Sequence, residues 1–130
     1  MVIDTSALIA ILHREPDAAA FEKSITNASV RLMSAVTKLE AGMVTLGRGR
    51  VGTDMLDSLL EIMAVTIIPF DDHQAAIARN AFARYGKGRH AAGLNFGDCA
   101  AYALAIAEAE PLLFKGADFA ATDVQVVEAG

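Results

Sequence analysis

Pro111-Leu-Leu-Phe-Lys-Gly-Ala-Asp-Phe-Ala-Ala-Thr-Asp123 is the stretch from which the rest of the chain is most readily read. Leu112, Leu113 and Phe114 form a short apolar run of the kind a buried strand shows, Lys115 to Ala117 a turn, and Asp118 rides on that turn where the strand ends. An acid is delivered in a similar way at three other places: Asp4 after Met1-Val2-Ile3, Glu40 after Val30 to Met33, and Asp98 just before a long alanine-rich helix.

Working outward, the chain reads as short strands separated by helices. Strands are expected at Met1 to Asp4, Val30 to Met33, Val65 to Phe70 and Leu112 to Phe114, with Val124 to Val127 as a fifth at the sheet edge. Between them, helices are expected over Ala7 to Leu12, Asp17 to Ile25 and Ser34 to Leu46. Further helices are expected around Met55 to Met63, from an Asp72 N-cap through Tyr85, and over Asp98 to Glu110, which Pro111 ends. The apolar stripes Val36, Leu39, Met43, Leu46 and Met55, Leu59, Ile62, Met63 have helical spacing, with Asp54, Asp57 and Glu61 on the wet side of the second. Gly47, Gly49 and Gly52 flank Arg48 and Arg50 in a helix-helix turn. Gly86, Gly88, Gly93 and Gly97 punctuate a loop long enough to suggest function. Alternation of strand and helix predicts an α/β fold, a single domain over residues 1–130 with a mostly parallel sheet of four to five strands covered on both faces. The functional crevice of such a sheet lies beyond the carboxyl ends of its strands.

Composition narrows the class. Of the 130 residues, 54% are apolar and 21% charged, which suits a folded chain with one sizeable core and little disorder. No apolar run approaches the ~20 residues of a membrane span, and Asp4 interrupts an N-terminal segment that no basic stretch precedes, so neither a membrane anchor nor a cleaved signal is expected. The lone Cys99 rules out an internal disulfide and suits a reducing cytoplasm. A net charge of −5 is the wrong sign for holding nucleic acid by bulk charge, but six of the eleven basic residues, Arg48, Arg50, Arg79, Arg84, Lys87 and Arg89, sit at helix ends and in the glycine-rich loop.

Each acid has an ordinary explanation. Asp4 and Asp98 suit helix N-caps, Thr37 and Glu40 have capping-box spacing, and Asp118 is a common turn residue. A parallel sheet nevertheless brings all four to one edge, where each close pair repels by roughly 1 to 4 kcal/mol at effective dielectrics of 80 to 20. Such a set calls for a cation, and oxygen donors without histidine or cysteine suit Mg²⁺ or Mn²⁺ rather than Zn²⁺. Ions of that kind, with ligand positions left to water and phosphate oxygens, promote in-line attack of water on a phosphodiester.

Val-Ile-Asp-Thr-Ser-Ala-Leu at the N-terminus, Thr-Lys-Leu-Glu-Ala, Leu-Asn-Phe-Gly-Asp-Cys-Ala-Ala-Tyr-Ala-Leu-Ala and the opening stretch, in that order, closely resemble the PIN-domain ribonucleases, and more narrowly the VapC toxins of bacterial toxin-antitoxin pairs. The resemblance covers almost the whole chain. It implies a three-layer α/β/α sandwich and a Mg²⁺- or Mn²⁺-dependent endoribonuclease, with Asp4, Glu40, Asp98 and Asp118 on the family's acidic positions. It also implies a homodimer and a cognate VapB-type antitoxin whose C-terminal segment covers the site. Ala117 departs from the Asn or Asp that relatives often carry in the Gly-x-Asp-Phe turn. The fourth acid varies most in the family, which leaves Asp118, with Asp123 as a helper, the least fixed of the set.

The hydroxyls of Thr5 and Ser6 are candidates for holding a phosphate or a water, or are plain helix caps. Lys87, Arg89 and His90 are candidates for gripping RNA phosphates. His13 and His73 are expected at the surface and Cys99 in the core. Phe82, Tyr85, Phe96 and Tyr102 are expected to pack internally rather than stack on bases. Two other readings stay open: a PIN-like module that binds without cutting, and a phospho-acceptor receiver-like domain with Lys115 as its lysine. The second leaves Glu40 and Asp98 without a role.

Overall fold

In the computed structural model, which describes residues 1–47 and 49–129, four short strands form one parallel sheet in the order β3-β2-β1-β4. The strands are β1 (Val2–Ile3), β2 (Leu32–Ser34), β3 (Thr66–Ile68) and β4 (Leu112–Leu113). Val2 is in register with Leu32 on one side and Leu112 on the other, and Met33 with Ile67. Parallel neighbours need crossovers, and helices provide them: α1 (Thr5–Leu12), α2 (Ala18–Asn27), α3 (Ala35–Leu46), α4 (Gly49–Ile62), α5 (Asp72–Tyr85) and α6 (Phe96–Ala107).

Alternation along the strands divides the core in two. Ile3, Met33 and Leu113 point to one face, where they pack with Leu8 of α1, Phe21 and Ile25 of α2, Ala41 of α3 and Leu56 and Leu60 of α4. Val2 and Leu112 point to the other and pack with Ala81 and Tyr85 of α5 and Tyr102 and Leu104 of α6. The result is the expected three-layer sandwich. The expected fifth strand contracts to a single parallel bridge, Val126 beside Leu112, held by the Leu112 and Val127 amides.

Several local expectations are corrected. The stripe on α3 faces outward: Leu39 is 64% and Met43 65% exposed, while Thr37, Ala41 and Thr45 are buried. Those inward residues are small, so α3 packs closely and its larger apolar side chains are left outside. On α4 the buried positions are Gly52, Leu56 and Leu60, while Met55 and Ile62 are exposed. Gly52 therefore lies inside a helix and not in the turn, and Arg48 of that turn lies outside the described residues. The N-cap of α5 is Asp71, whose carboxylate accepts from the Gln74 amide, rather than Asp72. The long glycine-rich loop is tied across its neck, with Leu94 donating to the Tyr85 carbonyl and Lys87 to that of Leu94. Among the described residues, no helix is long and apolar enough to cross a membrane.

Candidate active site at the carboxyl edge of the sheet

Asp4 follows β1 directly and caps α1. Its Oδ2 accepts from the Ser6 amide at 3.0 Å and from the Ser6 hydroxyl at 2.6 Å. The residue is only 4% exposed, and Oδ1 is buried with no hydrogen-bond partner. Burial raises the carboxyl to about 6 from the ordinary 3.8. The Ser6 bonds oppose that rise, and the charges of Asp98 and Glu40 add to it. An acid cap accounts for Oδ2 and leaves the other oxygen in the protein without a partner, which costs stability unless something positive meets it.

Glu40 comes from the middle of α3, whose N-cap is Ser34, so the expected Thr37–Glu40 capping box does not form. Its Oε1 instead accepts from the Thr5 hydroxyl at 2.6 Å, tying α3 to the start of α1. The carboxylate lies against Gly97. A Cβ there would stand 2.0 Å from Glu40 Oε2, so only glycine leaves room for the acid.

Asp98 is the third residue of α6, not its cap. Asn95 is the cap, and the two form a reciprocal capping box: Asn95 Oδ1 accepts from the Asp98 amide at 2.9 Å and Asp98 Oδ2 from the Asn95 amide at 3.0 Å. Half-buried Asp98 is raised by desolvation, against the Asn95 bond, with further contributions from Asp118 and Glu40. Asp118 is exposed on the turn after β4, ahead of a short 3-10 turn at Phe119–Ala121 that its side chain does not cap. Asp4 thus feels the charges of Asp98 and Glu40, and Asp98 those of Asp118 and Glu40.

Asp123 is turned to other work. It accepts from the Tyr102 hydroxyl at 2.5 Å and pairs with Arg84 at 3.4 Å, bonds that lower its carboxyl. The Thr5 and Ser6 hydroxyls are also spoken for. Thr5 donates to Glu40, and Ser6 donates to Asp4 while accepting from the Lys115 amide at 2.9 Å, which fastens β4's turn to the start of α1. Each hydroxyl thus holds one acid in place. Lys87 and Arg89 are exposed on the loop, with no described bond to any of the acids. The Arg89 guanidinium sits 5.9 Å from the Phe82 ring. Lys115 pairs with Glu15 and Asp17, away from the acids, which removes the receiver-like lysine; the strand order also differs from the 2-1-3-4-5 of that fold.

Sequence reasoning missed Gly97 and Asn95 as parts of the site. The signal was present in Asn95-Phe96-Gly97-Asp98, since Asn-x-x-Asp is capping spacing, but the space Glu40 needs beside Gly97 is a long-range fact. Tyr85, Tyr102 and Cys99 are buried as expected, His73 is exposed and His13 is partly covered. Phe82 is 40% and Phe96 80% exposed, contrary to the expectation of internal packing.

Among the described residues, no three His, Cys, Asp or Glu side chains stand close enough to hold one ion between them as placed. The donor set still fits a hard divalent cation. It is all oxygen, it includes a buried unpartnered carboxylate oxygen, and neighbouring acid charges add to the raised proton affinity of Asp4 and Asp98.

A PIN domain family model matches residues 1–125. A Mycolicibacterium smegmatis protein named Ribonuclease VapC is 51% identical over 128 residues, covering 98% of this chain and 99% of its own. In shape, the chain is similar to the crystal structure of VapC20 from Mycobacterium tuberculosis, a Sarcin-Ricin loop cleaving toxin, with TM-score 0.79, 15% identity and 98% of both chains covered. It is also similar to a chain of a toxin-antitoxin complex from Klebsiella pneumoniae, with TM-score 0.71, 18% identity, and 97% of this chain and 95% of that one covered. At those identities the two structures speak for the fold.

Proposed function

This chain belongs to the PIN-domain family, among the VapC ribonucleases, and from that premise we propose that it is a Mg²⁺- or Mn²⁺-dependent endoribonuclease toxin, with Asp4, Glu40 and Asp98 holding the metal and Asp118 completing the set. The observation that carries the metal assignment is Asp4 Oδ1, buried and unpartnered in a carboxylate whose neighbours are two further acids. A bound divalent ion supplies charge neutralisation on the phosphoryl oxygens and acidifies a water for in-line attack.

The chain's own residues set the geometry. Ser6 fixes Asp4 Oδ2 and leaves Oδ1 without a partner, Thr5 orients Glu40, and the Asn95 capping box holds Asp98 at the start of α6. No side chain is required as nucleophile. Exposed Lys87 and Arg89 meet RNA phosphates at longer range.

The partners proposed are RNA, a VapB-type antitoxin whose C-terminal segment covers the site, and a second copy of the chain. The antitoxin follows the likeness to a toxin-antitoxin complex. The outward apolar side chains of α3 and α4 offer a surface for protein contact. Retention of all four acids speaks against a module that binds without cutting, because a cluster of like charges costs stability with no return.

The test is cleavage of cellular RNA by the purified chain. Activity should stop in EDTA, return with Mg²⁺ or Mn²⁺, and be absent in Asp4→Asn. Undiminished cleavage in chelator or in that variant would refute the assignment.

A further inference from the structure

Phe96 is the most exposed aromatic side chain among those described as exposed, and it opens the helix that carries Asp98. Gly97, its neighbour, lies against the Glu40 carboxylate, and Phe96 and Glu40 line one concavity. Phe96 divides two concavities. The one toward α3, about 400 Å³, is lined by Val36, Leu39, Met43 and Val44, aliphatic side chains with Glu40 as the sole charge. The one toward α5, about 480 Å³, is lined by Phe70, Ala78, Arg79, Phe82, Phe96 and Cys99. Phe82 and Phe96 are both exposed there, exposed Arg79 shares the lining, and Arg89 extends over the Phe82 ring.

A flat apolar face for a base next to a cation for a phosphate is the pairing that single-stranded nucleic acid needs. The α3 flank has no cation and lacks it. Resting on the ribonuclease reading above, we propose that Phe96 is a substrate-positioning residue, stacking on a nucleobase next to the cleaved phosphate while the strand runs along the α5–α6 groove with a phosphate at Arg79. The contact is sequence-tolerant, because every base offers a π-face. It acts by fixing where the phosphodiester lies relative to the acids.

The chain contains no tryptophan, so Phe96→Trp gives one fluorophore at the site. In an Asp4→Asn background, which leaves RNA uncut, a short fluorescein-labelled single-stranded RNA should bind by anisotropy, and the unlabelled RNA should quench the indole. Phe96→Leu, which keeps apolar bulk but no π-face, should weaken binding about tenfold, the size of one lost stack. In the active chain it should raise KM with melting temperature unchanged. Phe96→Trp should restore both.

RNA binding without quenching, or parent-like binding by Phe96→Leu, overturns the inference and leaves the ribonuclease reading standing. An indole spectrum that shifts blue with protein concentration in the absence of RNA also overturns it, by making Phe96 a contact between copies. A chain that neither binds nor cuts RNA refutes the ribonuclease reading and this inference together.

Discussion

At the scale of single residues, the candidate site is a set of acids whose surroundings disfavour their charge. Asp4 is the residue in which this is clearest. Its folded-state carboxyl, near 6, lies above its unfolded value, so the folded chain binds the proton more tightly. Stability from this group is therefore full below about pH 4 and is lost as pH rises through 6. In metal-free buffer at pH 7, Asp4→Asn should be more stable than the parent by on the order of 1 to 3 kcal/mol, and the gain should vanish near pH 4. Urea unfolding at both pH values measures it, and a less stable variant at pH 7 would show that the buried charge is already compensated. Gly97 gives a second expectation. The atom a Cβ would strike is the end of the Glu40 side chain, so Gly97→Ala should fold with little change in melting temperature yet lose RNA cleavage tenfold or more as the acid is pushed aside. Activity equal to the parent would show that Glu40 has other room.

At the scale of elements, what the sequence revealed depended on how local the cause was. Strands and helices were legible because apolar runs and Pro111 act locally, and Asp4 was legible as a cap. Helix ends were not. Arg14, Ala64 and Ala109 take positive φ values of 52°, 51° and 50° after α1, α4 and α6. There the Glu15, Val65 and Glu110 amides close back on Ala10, Leu60 and Ala105, the left-handed ending usually given to glycine. No glycine marks these ends, so α6 was expected to run on to Glu110. Ala109→Gly should relieve the left-handed strain by more than the added chain entropy costs, raising stability by about 0.5 to 1 kcal/mol. Denaturant midpoints measure this, and a fall would mean the backbone there is unstrained. The outward stripe on α3 was misread for a different reason: Leu39 and Met43 have core spacing, and only the close packing at Thr37, Ala41 and Thr45 reveals which face is inside.

At the scale of the whole molecule, the parallel sheet sets Asp4 and Asp118 just past the ends of β1 and β4, with Glu40 and Asp98 carried by α3 and α6. That placement was legible as soon as the strand order was taken as parallel. The partnering of Asp123 with Tyr102 and Arg84 was not, because it depends on the path of the C-terminal segment past α5 and α6. The exposed apolar face of α3 and α4 is the molecule's remaining liability, and protein contact is its expected use. A double variant, Leu39→Ser with Met43→Ser, should melt like the parent but show a lower mass by light scattering or lose capture of the co-expressed antitoxin. If both properties were unchanged, that face would not be the contact surface.

The account stands on a cation held by Asp4, Glu40 and Asp98, and titration of Mn²⁺ followed by the electron paramagnetic resonance signal of the free ion tests it most directly. The parent should take up Mn²⁺ at pH 7, and more weakly at pH 5, where Asp4 is protonated; Asp4→Asn and Asp98→Asn should each bind at least tenfold more weakly. Equal uptake by the parent and both variants would contradict it.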